Sequence, residues 1–232
     1  MSPRPKKITP QGNLQEAIKT IAWQQIAETG AAALSLRAIA RQLEITAPAI
    51  YNYYSCRDDL VTALIIDAYT SLGDTQIAAC DGMPPEDLAG RLAATGFAYR
   101  QWALDYPQRY QMIFGTPLPG YSAPVDQVLP AAARSLSALV SVVEGLRQAG
   151  QLEVGNFPEI RHDFKVSFDA WKNYGGEADI LSLSVAVLIW ARVHGIVSLE
   201  IAGNIPPYGA DGAALYRYEL ESIAKQFIKE QP

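Results

Sequence analysis

The sequence predicts an all-α fold with a helix-turn-helix unit near its N-terminus. Three observations carry this. Apolar residues recur at three- and four-residue spacing in one segment after another, as on the buried faces of helices. Glycine and proline fall mostly between those segments and punctuate them. No stretch alternates apolar and polar residues in the manner of a half-buried strand.

Residues 1–12 are polar, proline-dotted and basic at Arg4, Lys6 and Lys7, and read either as a disordered terminus or as a flexible, DNA-contacting arm. From 13 to 29 a helix carries Leu14, Ile18, Ile21, Ala22 and Ile26 on one stripe, with Gly30 as its C-cap. Leu36, Ile39, Ala40 and Leu43 form the stripe of a second, short helix that Ser35 can cap. Arg37 and Arg41 share a different face of it. After a break at Glu44-Ile45, Thr46 can cap a third helix, with Pro48 tolerated in its first turn. There Ile50 and Tyr54 should point inward, leaving Ala47, Pro48, Tyr51 and Asn52 outward. A small, flat outward face with one amide and one phenol suits a helix lying in a DNA major groove.

Asp58 and Asp59 suit the first turn of a fourth helix, which bears Leu60, Val61, Leu64, Ile65, Ala68 and Leu72 and ends near Cys80. A loop at 81–85 precedes a helix over 86–105, broken before Pro107, and a short one through Phe114. The 115–124 segment, with three prolines and two glycines, reads as a loop. A long helix spans 125–149 and stops at Gly150. Within 151–178 only one short helix, around 164–174, is expected. The 180–202 segment is apolar nearly all round, so it should be buried on more than one side. A loop over 203–209 and a last helix over 211–229 complete the chain.

The chain has 232 residues, 49% of them apolar and 19% charged, a globular profile with room for a sizeable core. Cys56 and Cys80 form no CxxC pair, which argues against a disulfide framework or structural zinc and fits a reducing cytoplasm. No apolar run follows Arg4-Lys6-Lys7, so no signal peptide is expected. The longest greasy stretch, 180–191, is expected to be too short to span a bilayer. The net charge of −5 is unevenly spread. Residues 1–55 hold six Lys or Arg against three Asp or Glu; the remainder hold thirteen against twenty-one. A basic end on an acidic body can steer one face toward DNA.

The first sixty residues resemble the TetR family of bacterial ligand-responsive transcriptional regulators. The matching elements are Ala17-Ile18 with Gly30, Ser35-Leu36-Arg37-Ala38-Ile39-Ala40, Ile50-Tyr51-Asn52-Tyr53-Tyr54 and Arg57-Asp58-Asp59-Leu60. The later part resembles the subgroup with a Trp-His-Gly signature, here Trp190, His194 and Gly195, and with a motif like Tyr106–Gly115. The resemblance implies a DNA-binding domain over 1–57 and a helical ligand-binding and dimerisation domain over 58–232. It implies that Thr46, Tyr51, Asn52 and Tyr53 face DNA, with Ser35, Arg37 and Arg57 near phosphates; Ala47 and Pro48 belong to the same outward face. Asn52 could read an adenine edge, whereas a tyrosine hydroxyl and Arg57 mainly position the helix. Two departures stand out. Glu44 occupies a turn position where the family usually has glycine, and a left-handed backbone there would cost on the order of 1 kcal/mol. Arg57 replaces the usual lysine and keeps its charge.

One short helix reads too few base pairs, so a homodimer on a palindromic operator is expected. The helices over 180–202 and 211–229 are its best interface, as halves of a four-helix bundle. A small-molecule effector in the second domain would release a repressor by favouring a conformer that no longer matches the half-sites. Tyr99, Trp102, Tyr106, Tyr110, Phe114, Phe168, Trp171 and His194 read either as lining for that ligand or as core. An enzyme is not expected: no nucleophile–base set, glycine-rich phosphate loop or GxSxG is present. His162, Asp163 and Glu159 are an isolated cluster, and neither metal nor cofactor is expected. The rival reading is an interaction protein of the same fold that has lost DNA binding, with Glu44 as its hint.

Overall fold

A computed structural model describes residues 11–155, 159–160, 162–205 and 212–229. The described residues form ten α-helices: α1 (Gln11–Thr29), α2 (Leu36–Gln42), α3 (Ala47–Tyr51), α4 (Arg57–Asp81), α5 (Leu88–Asp105), α6 (Pro107–Phe114), α7 (Val125–Gln148), α8 (His162–Gly175), α9 (Ile180–Ile201) and α10 (Gly212–Phe227). An antiparallel bridge joins Leu152 to Ile228, and no strand occurs among the described residues. The all-α expectation holds. Residues 1–10 of the basic arm lie outside the described residues, as do the side chains of His162 and Asp163. Residues 11 and 12, read as part of that arm, open α1 instead.

Two compact units result. One comprises the residues up to Ala68 with Gln108–Val128, the other Tyr69–Pro107 with the chain from Leu129 onward. The core of the first unit gathers Ile18, Ala22 and Ile26 from α1, Leu36, Ile39 and Ala40 from α2, Ile50, and Leu60, Val61 and Leu64 from α4. These are the positions that helical periodicity picks out. Polar ties fix the elements further. Lys19 pairs with Asp67 at 2.7 Å, and the hydroxyls of Thr62 and Tyr121 lie 3.0 Å apart. The start of α4 is closed by Asp59, whose carboxylate accepts from the Ser55 backbone N–H at 3.1 Å and from the Ser55 hydroxyl. That hydroxyl bond holds the Asp59 carboxyl below its ordinary pKa.

In the second unit α9 packs along α10, and α5 packs on both. Tyr216 donates to the Gly96 carbonyl at 2.6 Å, Arg100 grips Glu200 through two hydrogen bonds, and Trp102 donates to Ser71 Oγ at 3.0 Å. A Cβ on Gly73 of α4 would stand 3.1 Å from the Arg134 carbonyl of α7, so a larger residue would push these backbones apart by a few tenths of an ångström. Arg134 bonds Asp74 at the same crossing.

The structure corrects two expectations. Thr46 sits at the N-cap position of α3 but makes no side-chain cap bond, so the helix start rests on Pro48 and on neighbouring packing. The segment judged too short for a bilayer lies in a 22-residue helix, α9, apolar enough by length and composition to cross a membrane; α7 passes the same criterion. The apolar run reads as short only because Arg192 and His194 interrupt it. In the fold α9 is a core helix: Leu183, Val185, Ala186, Ile189, Val193 and Val197 are all buried. The segment around 164–174, expected as one short helix, is the 14-residue α8.

Candidate DNA-binding face and ligand cavity

The helix-turn-helix is built by its turn. The Glu44 N–H donates to the Arg41 carbonyl at 3.2 Å, and the Ile45 N–H reaches back to the Ala40 carbonyl at 3.0 Å. This 6→1 and 5→2 pair is a Schellman cap, which places the residue between them in the left-handed region. Glu44 takes a φ of 55°, the only positive φ outside glycine among the described residues. The same bonding pattern closes α7 at Gly150 (φ 70°) and α9 at Gly203 (φ 68°). Among the described residues this cap therefore occurs three times and uses a non-glycine residue once, at the entry to α3.

With the turn set, Ile50 is fully buried and Tyr54 nearly so, and Gln15 of α1 donates to the Tyr54 hydroxyl at 3.4 Å. This anchoring leaves Thr46, Ala47, Pro48, Tyr51 and Asn52 exposed and Tyr53 half-buried. Ser35 caps α2, its hydroxyl accepting from the Ala38 N–H at 3.4 Å. Arg37 and Arg41 are exposed on the same short helix, with no ion-pair partner among the described residues. Arg57 is different. Its Nη2 donates to the Ala31 carbonyl at 2.9 Å, and Nη1 lies 3.4 Å from Asp58 Oδ1. Arg57 thus ties the start of α4 to the turn after α1, and its guanidinium is partly engaged within the unit.

The aromatic set is dispersed. Tyr110 is buried in the first unit and meets Phe114 with ring centroids 5.2 Å apart. In the second unit Trp102 is buried and meets Tyr106, which is exposed; Phe168 is buried and Trp171 half-buried. Tyr99 and His194 come together: the phenol lies 2.8 Å from Nδ1, and Ser198 Oγ lies 3.3 Å from Nε2. Burial holds the His194 imidazole below its ordinary pKa. The Trp190 ring covers it at 4.9 Å.

Tyr99 also lines a cavity of about 40 Å³ whose walls come from α4, α5, α7, α9 and α10. Leu92, Gly96, Leu139, Val193, Leu220 and Ile223 supply most of its surface. Gln76, which sequence reasoning passed over, lines it too. The available signal is that Gln76 lies one turn beyond Leu72 and one turn before Cys80 on the buried stripe of α4. A wider cleft of about 630 Å³ in the same unit includes Asp81, Arg91, Glu144 and Glu177 in its walls. Glu144 is bonded by Arg147, Ser182 and Gln148 and by the Asp179 backbone N–H, with Arg147 the largest influence, and its pKa falls to about 2. No group of three or more potential metal ligands occurs among the described residues.

A helix-turn-helix carried on an all-helical second unit is the architecture of a class of DNA-binding regulators. Comparison with known proteins gives the family. Residues 20–64 match the model of the bacterial regulatory proteins of the tetR family, and residues 92–223 match the tetracyclin repressor-like C-terminal domain. The HTH-type transcriptional regulator Rv1816 of Mycobacterium tuberculosis is 33% identical over 208 residues, 85% of this chain and 83% of that protein. The crystal structure of SCO4313, described as a regulatory protein, is 38% identical with a TM-score of 0.74, covering 94% of this chain and all of that one. The fold is also that of SmeT in its complex with triclosan, at 15% identity and a TM-score of 0.64, with 93% of this chain and 92% of that one covered. The chain belongs to the TetR family: it is a transcriptional regulator, not an enzyme, with a helix-turn-helix DNA-binding domain.

Proposed function

We propose that the chain is a homodimeric repressor, acting in the cytoplasm, that leaves a palindromic operator when a small molecule occupies its second domain. The observation that carries this reading is the exposure of Tyr51 and Asn52 on a helix whose opposite side is pinned by fully buried Ile50. In this reading Asn52 reads a base edge; Thr46, Ala47, Pro48, Tyr51 and Tyr53 line the groove; and Ser35 and Arg37 meet phosphates. Arg57 contributes mainly by fixing the turn after α1; its Nε is buried, so only the remaining N–H groups on its terminal nitrogens are available to a phosphate.

The functional division falls at 57/58, DNA binding before it and ligand binding with dimerisation after it. The second domain belongs to the Trp-His-Gly subgroup, with Trp190, His194 and Gly195 as its signature. The dimer forms through α9 and α10. On α9 Leu188, Ala191, Gly195 and Leu199 are exposed at helical spacing, an apolar stripe on a helix otherwise buried or half-buried. A Cβ on Gly195 would meet nothing within 4 Å, so this side of α9 is open for a partner. Ligand acts through α4, whose residues belong to both compact units. It shifts operator occupancy only by its differential affinity for the two conformers.

A gel shift with the DNA upstream of the protein's own gene tests this reading. The expected result is a salt-sensitive complex containing two protomers. Absence of any such complex would favour the rival, a helical interaction protein of this fold without DNA binding.

A further inference from the structure

The Gln76 side chain is 5% exposed, and its Oε1 has no hydrogen-bond partner among the described residues. A buried acceptor without a donor is unfavourable unless something else supplies one. Position 76 lies between Leu72 and Cys80 on a buried stripe, where an apolar residue would fit the pattern. Two other polar side chains of the cavity already have partners. Thr95 Oγ1 donates to the Arg91 carbonyl at 2.8 Å, and the Tyr99 hydroxyl is bonded to His194. None of the residues lining the cavity is charged.

These observations describe a small apolar chamber with one unanswered acceptor. A trapped water would be held poorly, since buried waters typically make about three hydrogen bonds. At about 40 Å³ the chamber exceeds the roughly 10–15 Å³ that one water needs, and it is far below the pockets that hold drug-sized ligands. We propose that this chamber binds a short, neutral alcohol, whose hydroxyl donates to Gln76 Oε1 while its alkyl chain packs on Leu92, Leu139, Leu220 and Ile223. A charged ligand is excluded by the uncharged wall, and an apolar ligand without a donor leaves the amide unanswered. The assignment deepens the proposed role of the second domain and rests on that reading only for its regulatory consequence.

The test uses 1-butanol and its isomer methyl propyl ether, which has the same heavy atoms but no donor. Each is titrated into the full-length protein and followed by NMR at the Gln76 side-chain amide and at nearby methyl groups. The expected result is at least tenfold tighter binding of the alcohol. In Gln76→Leu, which removes the unanswered acceptor and should melt no lower than the wild type, that preference falls to within twofold. Equal affinity for the two probes, a preference that survives in Gln76→Leu, or no binding of either would overturn the proposal. A parallel gel shift separates the two readings. Gln76-dependent binding that leaves DNA affinity unchanged keeps the chamber assignment and removes alcohol as a releasing effector. Release by an unrelated molecule with no alcohol preference in the chamber does the reverse.

Discussion

Glu44 holds the turn between α2 and α3 in a conformation that the chain elsewhere assigns to glycine. A non-glycine residue in the left-handed region costs roughly 1 kcal/mol. Replacing Glu44 with Gly should therefore raise stability by about 1 kcal/mol, less the backbone entropy that glycine adds to the unfolded chain. Urea unfolding checks this; a variant no more stable than wild type would mean that Glu44 makes up the cost through another interaction. A second residue-scale prediction concerns acid. Glu144, held at about pKa 2 chiefly by Arg147, lies below the ordinary 4.5, so its contribution to stability is complete above about pH 4.5 and is lost as pH falls toward 2. Glu144→Gln should flatten that part of the stability profile measured by thermal melts between pH 2 and 5. At this scale the sequence was legible where a residue type has one backbone use, as with Gly30 at the end of α1. It was not legible where a cap depends on side-chain rotation, which is why Thr46 looked like a cap and forms none.

Helices were legible as elements because each carries its own apolar stripe, and their ends fell within a few residues of the punctuating glycines and prolines. What a single stripe cannot report is which neighbour covers it. α9 is the clearest instance: its composition announces burial on several sides, yet Leu188 and Leu199 remain 45% and 42% exposed in one chain. The same composition makes α9 long and apolar enough for a membrane, and only its packing against α5 and α10 shows it to be a core helix. If the exposed stripe is the dimer interface, Leu188→Glu with Leu199→Glu places four like charges across a two-fold contact. Light scattering should then show a monomer with an intact helical circular-dichroism spectrum. A variant that remains dimeric would place the interface elsewhere.

Across the molecule, the family was legible early because the helix-turn-helix confines its pattern to about twenty consecutive residues. The grouping of side chains in the second unit was not, since partners such as Tyr99 and His194 come from helices far apart in sequence. Tyr110 and Phe114 continue the helical spacing of Tyr99, Trp102 and Tyr106, but α6 joins the first compact unit and α5 the second. Periodicity marks all of them as buried or half-buried without saying in which core. Gln76, a single polar residue on an apolar stripe, was the stronger signal. The central claim is that the exposed face of α3 reads DNA. Fluorescence anisotropy on a labelled fragment from upstream of the protein's own gene, at two salt concentrations, tests it most directly with Tyr51→Ala plus Asn52→Ala. The wild type should bind in the nanomolar range with clear salt sensitivity, and the variant should lose roughly 1–3 kcal/mol, or about tenfold to over a hundredfold. Equal binding by a correctly folded double variant would contradict it.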